Sequence, residues 1–393
     1  MDRYAAERIR GFGTSVFIEM SRLAQEHQAI NLGQGFPDFA GPDFVKEAAK
    51  AAIDADLNQY APSHGTPRLR NAIAATFEER TGLPVDVDTG ITVTSGATET
   101  IYDSIQAFLN PGDEIIFFEP FYDSYLASAV MANAVPRPIR LQPPDWSFDP
   151  DELRAAFNER TRVMLLNTPH NPTGKVFTRP ELEFIAALCI EHDVVVLSDE
   201  VYDRIVFGDA EHISIATLPG MWERTLTINS TGKTFSMTGW KIGYAVGPAN
   251  LNAALRAVHQ FVTFASQTPF QEAMATALET AEERGYYAQL TAEYDARRVA
   301  MAKAIEGAGF TVLPASGSYF LMADPGEVEF ATDVEFCKWL IREAGVTTVP
   351  PSAFYADPST APMLARFCFA KKLETIAAAA ERLQRIAAVS RAS

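Results

Sequence analysis

Val163-Met164-Leu165-Leu166-Asn167, a helical stretch from Pro180 to His192, and then Val194-Val195-Val196-Leu197-Ser198 decide the fold. The two short runs are apolar at nearly every position instead of alternating, the mark of strands buried on both faces. The stretch between them opens with Thr178 as N-cap, Pro180 in the first turn, and Glu181 and Glu183 near the positive end of a helix dipole. Strand, helix, strand predicts a crossover between parallel neighbours. Outward from this unit, residues 91–94, 114–118, 135–140, 225–229 and 244–246 are further short β-branched or aromatic runs, and 97–109 and 123–132 are helical. The expected fold class is α/β, a mostly parallel central sheet flanked by helices. The last third reads differently. A long helix over 282–308 is followed by strands near 317–323, 347–349 and 366–370, a helix over 333–344 and a final helix, predicting a smaller α+β unit.

The 393 residues carry 33 basic and 50 acidic side chains, a net charge of −17. Such a surface repels phosphate backbones and anionic lipid, which argues against nucleic-acid or membrane partners. Cys189, Cys337 and Cys368 are scattered, with no paired spacing, and read as core residues of a protein from a reducing compartment. The charged N-terminus has no apolar signal region, and no run reaches the ~18 apolar residues of a membrane span, so the expected location is the cytoplasm.

Chemistry-bearing residues cluster just past the strands, where open α/β sheets bind ligands. Ser95-Gly96-Ala97-Thr98 follows the 91–94 strand, and small residues there let backbone N–H groups approach a phosphate; read alone, an ordinary turn explains it as well. Asp199 ends a fully apolar strand, where a carboxylate needs a cation or donor partner or else serves as a helix N-cap. Ser230-Thr231-Gly232-Lys233-Thr234 resembles a nucleotide phosphate loop, but that motif needs glycine six residues before its lysine and Thr227 stands there. A partly desolvated lysine among small residues suits Schiff-base chemistry with a carbonyl instead. Asn171-Pro172-Thr173-Gly174 forms a rigid turn presenting amides, and Lys241 follows Lys233 by eight residues.

Taken in order, Asn171-Pro172-Thr173-Gly174, Asp199-Glu200-Val201-Tyr202, Lys233, Gly239-Trp240-Lys241-Ile242-Gly243-Tyr244 and Arg366-Phe367-Cys368-Phe369 resemble the class I/II, fold-type I aminotransferases that depend on pyridoxal 5′-phosphate. The stretches 31–39 and 212–225 are most similar to the kynurenine aminotransferase, glutamine transaminase K and cysteine-S-conjugate β-lyase branch. The resemblance implies a segment 1–40 packing with the small domain, a large cofactor-binding domain over 41–284 and a small C-terminal domain over 285–393. It also implies roles. Lys233 links to the cofactor and then moves the proton, Asp199 pairs with the pyridine nitrogen, and Tyr202 and Asn171 reach the ring's phenolic oxygen. Tyr122 stacks on the ring. Gly96, Ala97, Thr98, Ser230 and Lys241 bind the phosphate, and Tyr60 reaches the phosphate of the neighbouring subunit of a homodimer. Arg366, with Asn171 and Gly35, clamps the substrate carboxylate, and Phe17 and Phe264 line the side-chain pocket.

Two departures bear on substrate. Phe17 stands where kynurenine-type members carry tryptophan, and Ala265 where the branch has histidine. Both leave room for an aromatic or thioether side chain and put kynurenine itself in question. The expected reaction moves an amino group from an aromatic, glutamine or methionine-type L-amino acid to a 2-oxo acid by a ping-pong cycle. A cysteine-conjugate β-lyase and an N-succinyl-diaminopimelate-type aminotransferase are alternatives using the same residues. A DNA-binding regulator on such a domain is set aside by the −17 charge and the early start of the 31–39 motif.

Overall fold

The computed structural model describes residues 4–12, 16–326 and 330–390. The short strand β1 (Ile30–Asn31) follows the helix Val16–Glu26. The central sheet is built from β2 (Ile91–Thr94), β3 (Glu114–Glu119), β4 (Val135–Arg140), β5 (Thr161–Asn167), β6 (Val195–Asp199), β7 (Thr225–Ser230) and β8 (Gly243–Val246). Their spatial order is β2-β8-β7-β6-β5-β3-β4. The pairs β3–β4, β3–β5, β5–β6 and β6–β7 are parallel, and β8 runs antiparallel to both of its neighbours. The β7–β8 connection holds only two short helical turns, and an antiparallel neighbour needs no full crossover helix.

The pairing explains the unbroken apolar runs. Every residue of β2, β3, β7 save Ser230, and β8 is buried, because helices cover both faces. On one face Leu182, Ile185 and Leu188 of the helix Arg179–Glu191 pack with Phe118, Leu166 and Val196. On the other, Ile101 and Ile105 of the helix Ala97–Phe108 pack with Phe117, Leu165 and Leu197. Each such side chain contributes about 1.5–3 kcal/mol by leaving water. Thr178 starts the first of these helices in a capping box, its backbone N–H donating to Glu181. At the edge, β4 is half-exposed and carries Pro136 and Pro138, which lack a ladder donor.

The C-terminal third contains β9 (Thr311–Val312), β10 (Phe320–Asp324), β11 (Val346–Thr347) and β12 (Ala365–Cys368). β10 pairs antiparallel with β9 and β12, and β11 pairs in parallel with β1. Met20, Leu23 and Leu32 share a core with Leu321, Phe336 and Phe367. The long helix begins at Tyr286, because Gly285 turns left-handed (φ 64°) just before it. The expected strand over 317–323 starts only at Phe320, after a bend that includes Ser318 at φ 60°. The helix expected over 333–344 is α-helical through Trp339 and ends in a π turn, Leu340–Ala344, closed by left-handed Gly345. All three cysteines are free and buried. Among the described residues, no helix is long and apolar enough to cross a membrane.

Candidate active site

A cavity of about 270 Å³ opens at the carboxyl ends of β2, β5, β6 and β7, and β10 and β12 close its far side. Most residues singled out above line it: Gly35, Gly96, Ala97, Thr98, Tyr122, Asn171, Asp199, Tyr202, Ser230, Lys233, Lys241 and Arg366.

One end is built for an anion. Gly96 takes φ 86° to turn the chain into the helix Ala97–Phe108, whose first residues, Ala97 and Thr98, line the cavity. A Cβ on Gly96 would sit 3.0 Å from Lys241 Cε and 3.1 Å from its Nζ. A Cβ on Gly243 would reach 2.4 Å from the Ala97 nitrogen. Both glycines are what let Lys241 and the helix start come together. Ser230 caps the short helix Thr231–Thr234, its Oγ accepting from Gly232 N at 3.2 Å and donating to the Ile242 carbonyl at 3.2 Å.

The middle pairs an amine with a carboxylate. Burial lowers the Lys233 ammonium pKa to about 8. Burial raises the Asp199 carboxyl to about 6, opposed by hydrogen bonds from Tyr125 and Val201 and by the charge of Lys233. Tyr125 Oη donates to Asp199 Oδ2 at 2.5 Å, and Val201 N donates to Oδ1 at 3.3 Å. Register places Asn167 beside Asp199, and its Nδ2 donates to the Asp199 carbonyl at 2.9 Å. Asn167 Oδ1 in turn accepts from Asn171 N at 2.8 Å. Tyr202 is buried, with the Lys233 ammonium 5.6 Å from its ring centre. Tyr122 shares a hydrogen bond with Thr98 and meets the Tyr125 ring edge-on at 5.7 Å.

At the far end the buried Arg366 donates from Nη1 to Asn171 Oδ1 at 3.1 Å and from Nη2 to the Gly33 carbonyl at 2.8 Å. Its guanidinium lies against Phe320, 4.1 Å from the ring centre. Gly35 lines the same cavity, and its carbonyl accepts from Tyr319 at 2.6 Å. Tyr60 and Phe264 do not line this cavity. They are 86 % and 45 % exposed and touch each other edge-to-face at 5.5 Å. The side chain of Phe17 lies outside the described residues.

Tyr125, Asn167, Thr238 and Tyr319 were not singled out from the sequence. Tyr125 sits one helical turn after Tyr122, the one signal available for it. Tyr319 offers none, since its partner Lys233 is 86 positions away.

The donor set fits a phosphorylated heteroaromatic aldehyde: an anion cradle, an amine near neutrality, a carboxylate for a ring nitrogen, and a tyrosine to cover the ring face. The profile of the family described as aminotransferase class I and II matches residues 27–383, and the chain belongs to that family. It is a fold-type I enzyme that works with pyridoxal phosphate. The methionine aminotransferase of Escherichia coli K12 is 43 % identical over 374 residues, 95 % of this chain and 96 % of its own. Human kynurenine–oxoglutarate transaminase 1 is 40 % identical over 411 residues, 97 % of each chain. The solved N-succinyldiaminopimelate aminotransferase of Mycobacterium tuberculosis superposes with a TM-score of 0.93 at 42 % identity, covering 97 % of this chain and 100 % of that one.

Proposed function

We propose that this aminotransferase takes the amino group from an L-amino acid with an uncharged side chain, of methionine, glutamine or aromatic type, and gives it to a 2-oxo acid in a ping-pong cycle. The observation that carries the reading is the allocation of charge in the cavity. Its described lining holds three cations: Lys233, Lys241 and Arg366. Lys241 stands at the anion cradle, Lys233 at the reacting centre, and Arg366 is placed to fork an α-carboxylate with Asn171 beside it. Apart from Asp199, the rest of the described lining is neutral, which favours an uncharged side chain over one ending in a second carboxylate.

When bound, pyridoxal phosphate supplies the electron sink for the pair left on the substrate's α-carbon. Asp199 would keep the ring nitrogen protonated, and Tyr125 holds Asp199. Tyr202 and Asn171 would hold the ring oxygen, and Tyr122 would cover the ring. Gly96, Ala97, Thr98, Ser230 and Lys241 hold the phosphate. Lys233 would anchor the cofactor and, once displaced, would accept and carry the proton of the substrate's α-carbon.

The working unit in this reading is a cytoplasmic homodimer. Exposed Tyr60 and Phe264, in edge-to-face contact, form an aromatic surface that a second copy would cover, carrying Tyr60 to its phosphate and Phe264 to its substrate pocket. Within each copy, 41–284 is the large domain, and 1–40 joins 285–393 as the small one; the β1–β11 pairing supports this division.

A panel of amino donors scored by half-reaction rate tests the reading. Methionine, glutamine and phenylalanine should bleach the yellow enzyme faster than N-succinyl-diaminopimelate or aspartate. Preference for a dicarboxylate would contradict it. Pyruvate release from a cysteine conjugate without an oxo acid would instead favour the β-lyase.

A further inference from the structure

Lys233 Nζ donates to the hydroxyl of Tyr319 at 2.8 Å, and that hydroxyl donates to the Gly35 carbonyl oxygen at 2.6 Å. The carbonyl can only accept, so the single phenolic proton is committed to it, and Tyr319 faces Lys233 with a lone pair. Burial holds the phenol far above its usual pKa, so it stays neutral throughout. Tyr319 therefore does not trade protons with the lysine; it orients it.

We propose that Tyr319 is a positioning residue that holds the released amine of Lys233 by one N–H, so that the rest of the amine faces the substrate's α-carbon. The proposal rests on the reading of Lys233 as proton carrier given above. In the step concerned the Cα–H bond breaks, its electron pair passes to the bound cofactor and the proton goes to Nζ. Tyr319 keeps its own proton throughout.

Three observations support the assignment. A lysine amine sits on a flexible four-carbon stem, and a proton transfer needs its donor and acceptor held within a narrow geometry. The Tyr319 ring is locked: fully buried, stacked on Tyr294 (6.1 Å, 17°) and edge-on to Tyr202 at 5.0 Å. Its acceptor is also specified. A Cβ on Gly35 would fall 2.8 Å from Phe320 Cζ and 3.5 Å from Tyr319 Cε2, so only glycine brings that carbonyl so near. Lys233 follows a strand of the central sheet, whereas Tyr319 and Gly35 come from the two ends of the chain. The lysine is thus held by residues from outside the central sheet.

The test is Tyr319→Phe, which keeps the ring and removes the oxygen, with melting and the cofactor spectrum confirming a folded, loaded enzyme. The half-reaction is followed in single turnover with methionine and with α-deuterated methionine. The maximal rate should fall about ten- to a hundredfold, as for a lost hydrogen bond to a charged group. The half-saturating concentration should change less than about threefold, because Arg366 is untouched. The deuterium effect should rise, since proton transfer becomes the slower step. A second readout is independent of turnover: enzyme stripped of cofactor should recapture pyridoxal phosphate more slowly when Lys233 is not held. A wild-type rate, an unchanged or smaller deuterium effect, or wild-type recapture would overturn the proposal. If wild-type enzyme converts no amino acid, the functional reading fails instead, and the recapture rates still judge Tyr319.

Discussion

Tyr125 Oη lies 2.5 Å from Asp199 Oδ2, so among the described residues the hydrogen bonds to the carboxylate at the floor of the cavity come from a phenol and a backbone N–H. This leaves its charge available to a ligand. Burial pushes the Asp199 carboxyl up to about 6, and the Tyr125 hydrogen bond is the largest influence opposing that rise. A protonated ring nitrogen would complete the pair.

Asp199→Asn should therefore keep the cofactor but lose at least about a hundredfold in half-reaction rate, because an amide cannot hold the ring nitrogen protonated. Tyr125→Phe should lose less, about ten- to a hundredfold, by removing one hydrogen bond to a charged group. Single-turnover rates rank the two. A Tyr125→Phe enzyme slower than Asp199→Asn would contradict this ordering.

Arg366→Lys keeps the charge and loses the planar fork. The KM for every amino donor should rise by a similar factor, about tenfold or more, with a smaller change in kcat. A rise confined to one donor would place Arg366 against the side chain instead of the α-carboxylate.

Lys233 gives a pH prediction. The neutral amine is the nucleophile, and burial lowers its pKa to about 8. Capture of pyridoxal phosphate by cofactor-free enzyme should accelerate with rising pH and level off above about 8. A rate still climbing steeply beyond pH 9 would show an amine near its ordinary value.

A second buried group bears on stability. His259 Nδ1 faces Glu99 Oε1 at 2.9 Å, and Nε2 faces the Ser63 carbonyl at 2.7 Å. Two acceptors call for hydrogen on both ring nitrogens, hence an imidazolium. Glu99 and Asp103 raise it to about 9 against the effect of burial. Because the folded value exceeds the ordinary 6.5, the stabilisation is complete below about pH 6.5 and is lost as pH climbs through about 9. Thermal melts of wild type should show that decline. His259→Gln should be less stable at pH 7, by about 3–5 kcal/mol, with that decline removed. Parallel slopes for the two proteins would contradict the assignment.

Much of this was legible in the sequence for definite reasons. Apart from the edge strand β4, the strands of the central sheet are largely buried on both faces and stand out as apolar runs, and the chemistry follows directly in sequence: Asp199 ends β6, Lys233 follows β7, and Ser95 and Gly96 follow β2. Contacts across the chain were not legible. Nothing near Tyr319 marks it as a partner of Lys233, and nothing near Gly33 marks its carbonyl as an acceptor for Arg366. The antiparallel direction of β8 was hidden as well, because a four-residue apolar strand reads the same both ways.

The central claim is a covalent bond at Lys233. Borohydride reduction of the yellow enzyme, followed by proteolysis and peptide mass analysis, tests it directly. The account predicts one pyridoxyl group per chain, on the peptide containing Lys233, and none in Lys233→Ala. A label on Lys241 or another lysine, or a Lys233→Ala enzyme that transaminates at the wild-type rate, would contradict it.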